Sequence, residues 1–563
     1  MYIEKINSPK DIKELSVEQL SVLAEEVRTA LIRKLSEHGG HIGPNLGMVE
    51  TTIALHYVFN SPIDKIVFDV SHQSYVHKML TGRMAAFLDP AKYDDVTGYT
   101  NPDESEHDFF TIGHTSTSVS LAMGLAKGRD LTGGKENIIA VIGDGSLSGG
   151  EALEGLNNAA MLGSNMIIIV NDNDQSIAEN HGGLYKGLKE LRDTNGESPD
   201  NIFKAMGLEY YYLGDGHDVS ALIKLFTSVK DIDRAVVLHI HTIKGKGLKY
   251  AEENKEYWHA GGPFHIEDGS PKGPGWPVNE TVRESVLDLI EKRSDVVAIT
   301  AGTPSVIGFT EDYRKRAGKQ FVDVGIAEEH AVAMASGIAR NGGTPIFGVF
   351  SPFLQRTYDQ LSSDLCLNNN PAVIMVFMAS VYGMNSNTHL GIYDIPMISH
   401  IPNLVYLAPT SKEEYLAMFK YATTQKAHPI AIRIPMMMPE TGIEDITDYS
   451  LLNKYQVVRK GSGVAIIALG DFFELGVQIA DKYKILTGND VTLINPKFIT
   501  GIDEELLECL KTDHKLVLTL EDGIVEGGFG QTIASFYGLS DMKVKNYGIK
   551  KSFPTDFRPE ELM

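Results

Sequence analysis

Short apolar runs rich in β-branched residues recur along the chain, and between them apolar residues return at helical spacing. KIVFDV (65–70), NIIAVIG (137–143), NMIIIVND (165–172), AVVLHIH (235–241) and DVVAIT (295–300) read as buried strands. So do AVIMVFM (372–378), GVAIIALG (463–470), DVTLINP (490–496) and KLVLTLE (515–521). Segments 115–130 and 327–341 read as helices. Strands apolar on both faces, alternating with helices, predict an α/β fold of mostly parallel sheets flanked by helices. The longest apolar run, PAVIMVFMASVYGM near 371–384, is too short to cross a bilayer and reads as a buried strand.

At 563 residues the chain exceeds one compact core, and about three or four domains are expected. A Gly/Pro-rich stretch at 260–277 reads as a linker, and the pattern divides into blocks 1–265, 278–445 and 446–563. A formal charge of −23 with no offsetting basic stripe argues against a nucleic-acid partner. No apolar leader follows the charged first residues, and the 2 cysteines, Cys366 and Cys509, make no disulfide or metal pattern. Both features point to a reducing cytoplasm, with no membrane partner.

The strongest local signal is IIAVIGDGSLSGGEALEGLNNAAMLGSNMIIIVNDNDQSI. One strand ends at Gly143-Asp144-Gly145 and the next at Asn171-Asp172-Asn173, so parallel pairing puts both turns at the C-terminal edge of a sheet. The Asp144 carboxylate, the Asn173 amide oxygen and a Gln175 carbonyl are hard ligands suited to Mg²⁺. The glycines admit a diphosphate to the backbone, and a helix N-terminus at Ser146–Gly150 adds a favourable dipole. Gly-Asp-Gly alone is also a common turn; the two strand ends and the NDN terminus carry the metal reading.

GDG followed at this distance by N resembles the thiamine-diphosphate motif, and the surrounding text resembles the 1-deoxy-D-xylulose-5-phosphate synthase family, relatives of transketolase. GGHIGPNLGMVETTIALHYVFN (39–60), DVSHQSYVHKMLTGR (69–83), IGHTSTSVSLAMGLA (112–126), GDGHDVSALI (214–223), KGKG (244–247), DVGIAEEHAVAMASGIA (323–339), FSPFLQRTYDQ (350–360) and THLGIYD (388–394) carry the likeness in order. It implies three transketolase-like domains: a diphosphate and metal domain, a pyrimidine domain bearing a catalytic glutamate, and a C-terminal domain. It further implies thiamine diphosphate and Mg²⁺ as cofactors, pyruvate and an aldehyde as substrates, and a homodimer. Glu328 corresponds to the carboxylate that hydrogen-bonds the aminopyrimidine, Phe353 to the stacking aromatic and Ile177 to the wedge that bends the cofactor. His41, His72 and His389 match catalytic histidines. His114, Gly143, Gly145, Ser146 and Lys246 fall in cofactor-binding blocks. An acid at a helix start is otherwise an ordinary dipole partner, and a histidine beside glycine an ordinary turn residue.

Departures from the family bear on the acceptor. Met378 and Met436 stand where the resemblance leads one to expect phosphate-binding arginines, Asn385 where it expects an aspartate, and Phe350 where it expects a tyrosine. Each lost arginine fork removes about 1.5–3 kcal/mol of phosphate binding. Arg356, Arg433, His77 and Asn385 are the remaining candidates to hold substrate. The chain is also shorter than the family between residues 191 and 214, which trims a cover near the site. A synthase-like reaction of pyruvate with an aldehyde is the leading expectation. A transketolase-like or acyloin-forming paralogue with another, non-phosphorylated acceptor is the alternative, and a cofactor-binding protein without turnover a third.

Overall fold

The computed structural model describes residues 1–273, 279–384, 386–555 and 557–558. Two compact units emerge, Met1–Pro277 with Gly325–Ala327, and Val278–Val324 with Glu328–Met563. No helix among the described residues is long and apolar enough to cross a membrane.

The first unit is built on five parallel strands: β1 (Lys65–Phe68), β2 (Ile138–Gly143), β3 (Met166–Asp172), β4 (Glu209–Leu213) and β5 (Ala235–His241), in the order β1-β2-β3-β5-β4. Every residue of β3 is buried, as an apolar run covered on both faces requires. Ile168 and Val170 pack to one side with Ala122 and Leu156, and Ile167 and Ile169 to the other with Phe226. β4 escapes the sequence pattern because it lies at a sheet edge and all of EYYYL is half-buried.

Residues 260–273 belong to this unit's body, contrary to the linker expectation. Ala260 and Gly261 pair antiparallel with His41 and Gly40. Phe264 is buried edge-on against Trp258, with ring centroids 4.8 Å apart. Residues 274–277, the rest of the expected linker, lie outside the described residues.

The second unit holds two sheets. One contains β6 (Val296–Thr300), β7 (Phe321–Asp323), β8 (Thr344–Phe350), β9 (Val373–Phe377), β10 (Val405–Leu407) and β11 (Ile430–Arg433), all parallel, in the order β10-β11-β9-β8-β6-β7. The other contains β12 (Gln456–Arg459), β13 (Gly463–Ala468), β14 (Thr492–Asn495), β15 (His514–Ile524) and β16 (Lys543–Ile549), in the order β12-β14-β13-β15-β16. Only the edge strand β12 runs antiparallel there. A single core joins them, with Ala431 of the first sheet and Ala465, Ile467 and Val517 of the second in one apolar cluster. Blocks 278–445 and 446–563 thus share one compact unit.

Candidate active site

In the first unit Gly143 pairs with Asn171, which brings the two turns side by side at the C-terminal edge. The buried Asp144 accepts from Gln175 N at 3.1 Å and from Asn180 Nδ2 at 2.7 Å. Burial, and next the charge on Asp172, push it up to about 8. Around it Asn173 Oδ1, Ser176 Oγ and Asn180 Oδ1 are buried without a hydrogen-bond partner among the described residues. A Cβ on Gly145 would come within 2.9 Å of Ser176 Cα, so only glycine lets the turns approach this closely. Ile177 lies half-buried just beyond. The helix begins at Gly150, the last residue of the expected Ser146–Gly150 start, because Asp144–Ser148 forms a 3₁₀ turn.

Asp69, just past β1, docks a further loop on this edge. It accepts from Ser116 N at 2.8 Å and Ser118 N at 2.9 Å, while Ser116 Oγ donates to Ser146 O. His114 sits half-buried at the start of that loop. Ser146 is therefore held through its carbonyl within the turn.

Three imidazoles cluster in the same unit. The His41 ring centroid lies 5.1 Å from that of His72 and 6.0 Å from that of His259, and His72 stacks on His259 at 5.2 Å. Asn45 fixes the first two, donating to His41 O at 2.8 Å and His72 O at 2.7 Å while accepting from Tyr75 N. Loss of solvent lowers His41 to about 4 and holds His259 well below its usual range, so both stay neutral. Neutral imidazoles can accept a proton and return it. His259 was not expected from the sequence. Its signal was the match of HAGG to GGH, two glycine-rich ends that pair as a ribbon.

In the second unit Glu328 opens the helix Glu328–Arg340, whose small buried residues Ala331, Ala335 and Ala339 allow close packing. Its carboxylate is buried, and Oε2 has no hydrogen-bond partner among the described residues. Burial pushes it up to about 7, and Arg356 Nη1, 3.9 Å away, draws it back. Phe353 meets His389 edge-on at 5.5 Å, and Thr388 Oγ1 lies 2.9 Å from His389 Nδ1.

Residues 3–198 and 194–242 match the family model described as 1-deoxy-D-xylulose-5-phosphate synthase. Residues 277–439 match the transketolase pyrimidine-binding domain, and 453–563 the transketolase C-terminal domain. Among similar proteins, a 1-deoxy-D-xylulose-5-phosphate synthase of Carboxydothermus hydrogenoformans is 37% identical, covering 100% of this chain and 96% of its own. One of Lachnoclostridium phytofermentans is 38% identical over 95% of this chain and 91% of its own. The chain belongs to the 1-deoxy-D-xylulose-5-phosphate synthase family.

Enzymes of the synthase family use thiamine diphosphate with a divalent metal such as Mg²⁺. The residues present fit both. Unpartnered buried oxygens around Asp144 are the hard donors such a cation takes. Glu328 Oε2, without a hydrogen-bond partner among the described residues, fits a ring nitrogen that donates a proton. Lys244, rather than Lys246, reaches the edge beside Asp144: its buried Nζ donates to Ser176 O at 2.6 Å. Lys246 is half-exposed and makes no such contact among the described residues.

Two expected substrate residues have other duties. His77 is fully buried, with Nε2 2.9 Å from Asp108 and Nδ1 2.9 Å from His56 Nε2, so it serves an internal network. Arg433, at the end of β11, is buried between two carboxylates, Asp394 at 2.8 Å and Asp522 at 2.5 Å. Its charge is already neutralised and its fork occupied, leaving nothing for a phosphate. Met378, at a φ of +53°, and Met436 meet at Gly383, where a Cβ would lie 3.1 Å from Met378 Cα and 3.3 Å from Met436 Sδ. Asn385 lies outside the described residues.

Proposed function

We propose that this protein joins pyruvate to an aldehyde with loss of CO₂, giving a 1-deoxyketose. The observation that carries the reading is Glu328: a buried carboxylate at a helix start whose Oε2 faces Arg356 at 3.9 Å yet has no hydrogen-bond partner among the described residues. Burying such an oxygen costs several kcal/mol unless a ligand supplies the donor. We assign Asp144, Asn173 and the Gln175 carbonyl to Mg²⁺, and Lys244 with the Gly143–Ser146 turn and His114 to the diphosphate. By the family resemblance, Glu328 would hold the aminopyrimidine ring, with Phe353 as its aromatic partner and Ile177 as the apolar wedge.

When bound, thiamine diphosphate would supply the electron sink for decarboxylation. Glu328 holds a proton at the ring nitrogen, and its elevated carboxyl is poised to share one near neutral pH. His41, His72, His259 and His389 would accept and return protons on substrate oxygens. Blocks 1–265, 278–445 and 446–563 correspond in this reading to the diphosphate, pyrimidine and C-terminal domains. The family resemblance supports a homodimer, and the free cysteines suit a cytoplasmic setting.

A second reading concerns the acceptor. Arg433 is sequestered and Met378 meets Met436 at Gly383, which favours an aldehyde without a phosphate. Labelled pyruvate given with paired phosphorylated and free aldehydes tests both. CO₂ release with any aldehyde supports the reaction, and none with the whole panel overturns it. A kcat/KM for glyceraldehyde 3-phosphate above that for glyceraldehyde would sink the second reading. Glu328→Ala should abolish turnover while the protein still binds thiamine diphosphate.

A further inference from the structure

The helix Gly183–Asp193 touches both turns that carry the assigned metal ligands. Tyr185 OH donates to Gly145 O at 3.2 Å, beside Asp144. Two helical turns later, on the same face, Arg192 reaches the other turn. Its Nη1 donates to both oxygens of Asp172, at 2.8 and 2.6 Å, and its Nη2 to Asp174 Oδ1 at 2.8 Å.

Asp172 and Asp174 alternate with Asn173 and Gln175, so a fork gripping the first pair leaves the second for another task. Several details show how closely the grip defines this segment. His239 Nε2, from β5, holds Asp172 Oδ2 at 2.8 Å, and Tyr210 OH lies 2.8 Å from His239 Nδ1. Asp174 N bonds Asp172 Oδ1, and Asp174 adopts a φ of +60°, a strained conformation for a residue with a side chain. Asn173 Oδ1 is left buried and unpartnered, as a waiting ligand would be.

We propose that this helix is a brace for the metal site, with Arg192 as the positioning residue that sets Asn173 and Gln175 against Asp144, and Tyr185 steadying the Asp144 turn. The proposal rests on the cofactor reading above. Arginine suits the task because its planar fork spans two carboxylates, which a lysine ammonium cannot do in the same geometry. Leu188 and Leu191 anchor the helix in the core, so the fork projects from a fixed support.

The test is Mn²⁺ affinity, read by electron paramagnetic resonance on full-length, chelator-stripped protein with saturating thiamine diphosphate. Outer partners of metal ligands typically matter by 10–100-fold in affinity. Arg192→Met should weaken Mn²⁺ binding within that range, and Arg192→Lys by an intermediate factor. Asp174→Ala, at a side chain 58% exposed and free to change without harm to the core, should weaken it about 3–10-fold. At saturating metal the Asp174 variant should keep kcat within about twofold of the parent, because a positioning loss is recovered by mass action. Unchanged Mn²⁺ affinity in both Asp174→Ala and Arg192→Lys would overturn the brace. So would a fall in kcat that saturating metal does not restore in Asp174→Ala. Parent protein that takes up no Mn²⁺ with thiamine diphosphate would sink the cofactor reading itself, whereas parent uptake with unaltered variants sinks the brace alone.

Discussion

At Glu328, burial lifts the carboxyl from an ordinary 4.5 to about 7 while Arg356 opposes the shift. A raised acid pKa means the folded chain holds the proton more tightly than the unfolded one. The resulting penalty is absent below pH 4.5, grows between 4.5 and 7, and is complete above 7. Its size is about 3 kcal/mol. Glu328→Gln should therefore stabilise the cofactor-free protein at pH 8 and change little at pH 4.5, read by denaturant titration at each pH. A stability difference independent of pH would show that the carboxyl is not held as described. Arg433 makes a second residue-scale case. Arg433→Met strands the buried Asp394 and Asp522 and should cost about 3–5 kcal/mol of stability. A phosphate-binding arginine would instead raise the acceptor KM with the fold intact.

Among the elements, what was legible followed burial on both faces. β2, β3 and β5 stood out because continuous apolar runs leave little else to form. β12 and β16 did not, since QVVR and KVKNYGI alternate exposed and half-buried residues at sheet edges. β8 and β11 are fully buried or nearly so, yet escaped as well: one opens with Thr-Pro and the other is only four residues long. The GDG and NDN turns were readable because parallel pairing dictates where strand ends lie. The fates of His77 and Arg433 were not, because their partners Asp108, Asp394 and Asp522 come from distant segments. Close approach of the two turns gives an element-scale prediction. Gly145→Ala must displace Ser176, whose Cα would stand 2.9 Å from the new carbon. Metal affinity should fall at least about tenfold, while the circular dichroism spectrum stays that of the parent.

For the whole molecule, cofactor and metal act as ligands of the native state alone. At 100 times its dissociation constant such a ligand adds about 2.7 kcal/mol to stability. Melting with thiamine diphosphate and Mg²⁺ should therefore exceed melting with chelator, and Asp144→Ala should erase the difference. An equal increment in Asp144→Ala would place the metal elsewhere. The sequence suggested three separable blocks, but the last two share a core, in which alanines of both sheets pack among the same residues. Nothing in a strand pattern discloses that fusion, since it depends on which faces meet.

Arg433 adds a polar counterpart to that shared core. It ends β11 in one sheet, while Asp522 lies in β15 of the other and Asp394 opens a short helix after His389. Swapping the C-terminal block for that of a relative is consequently not a modular operation. A chimera inherits a mismatched ion triad unless its donor brings an acid to position 522, and repairing that one position should rescue soluble expression where further apolar repacking does not.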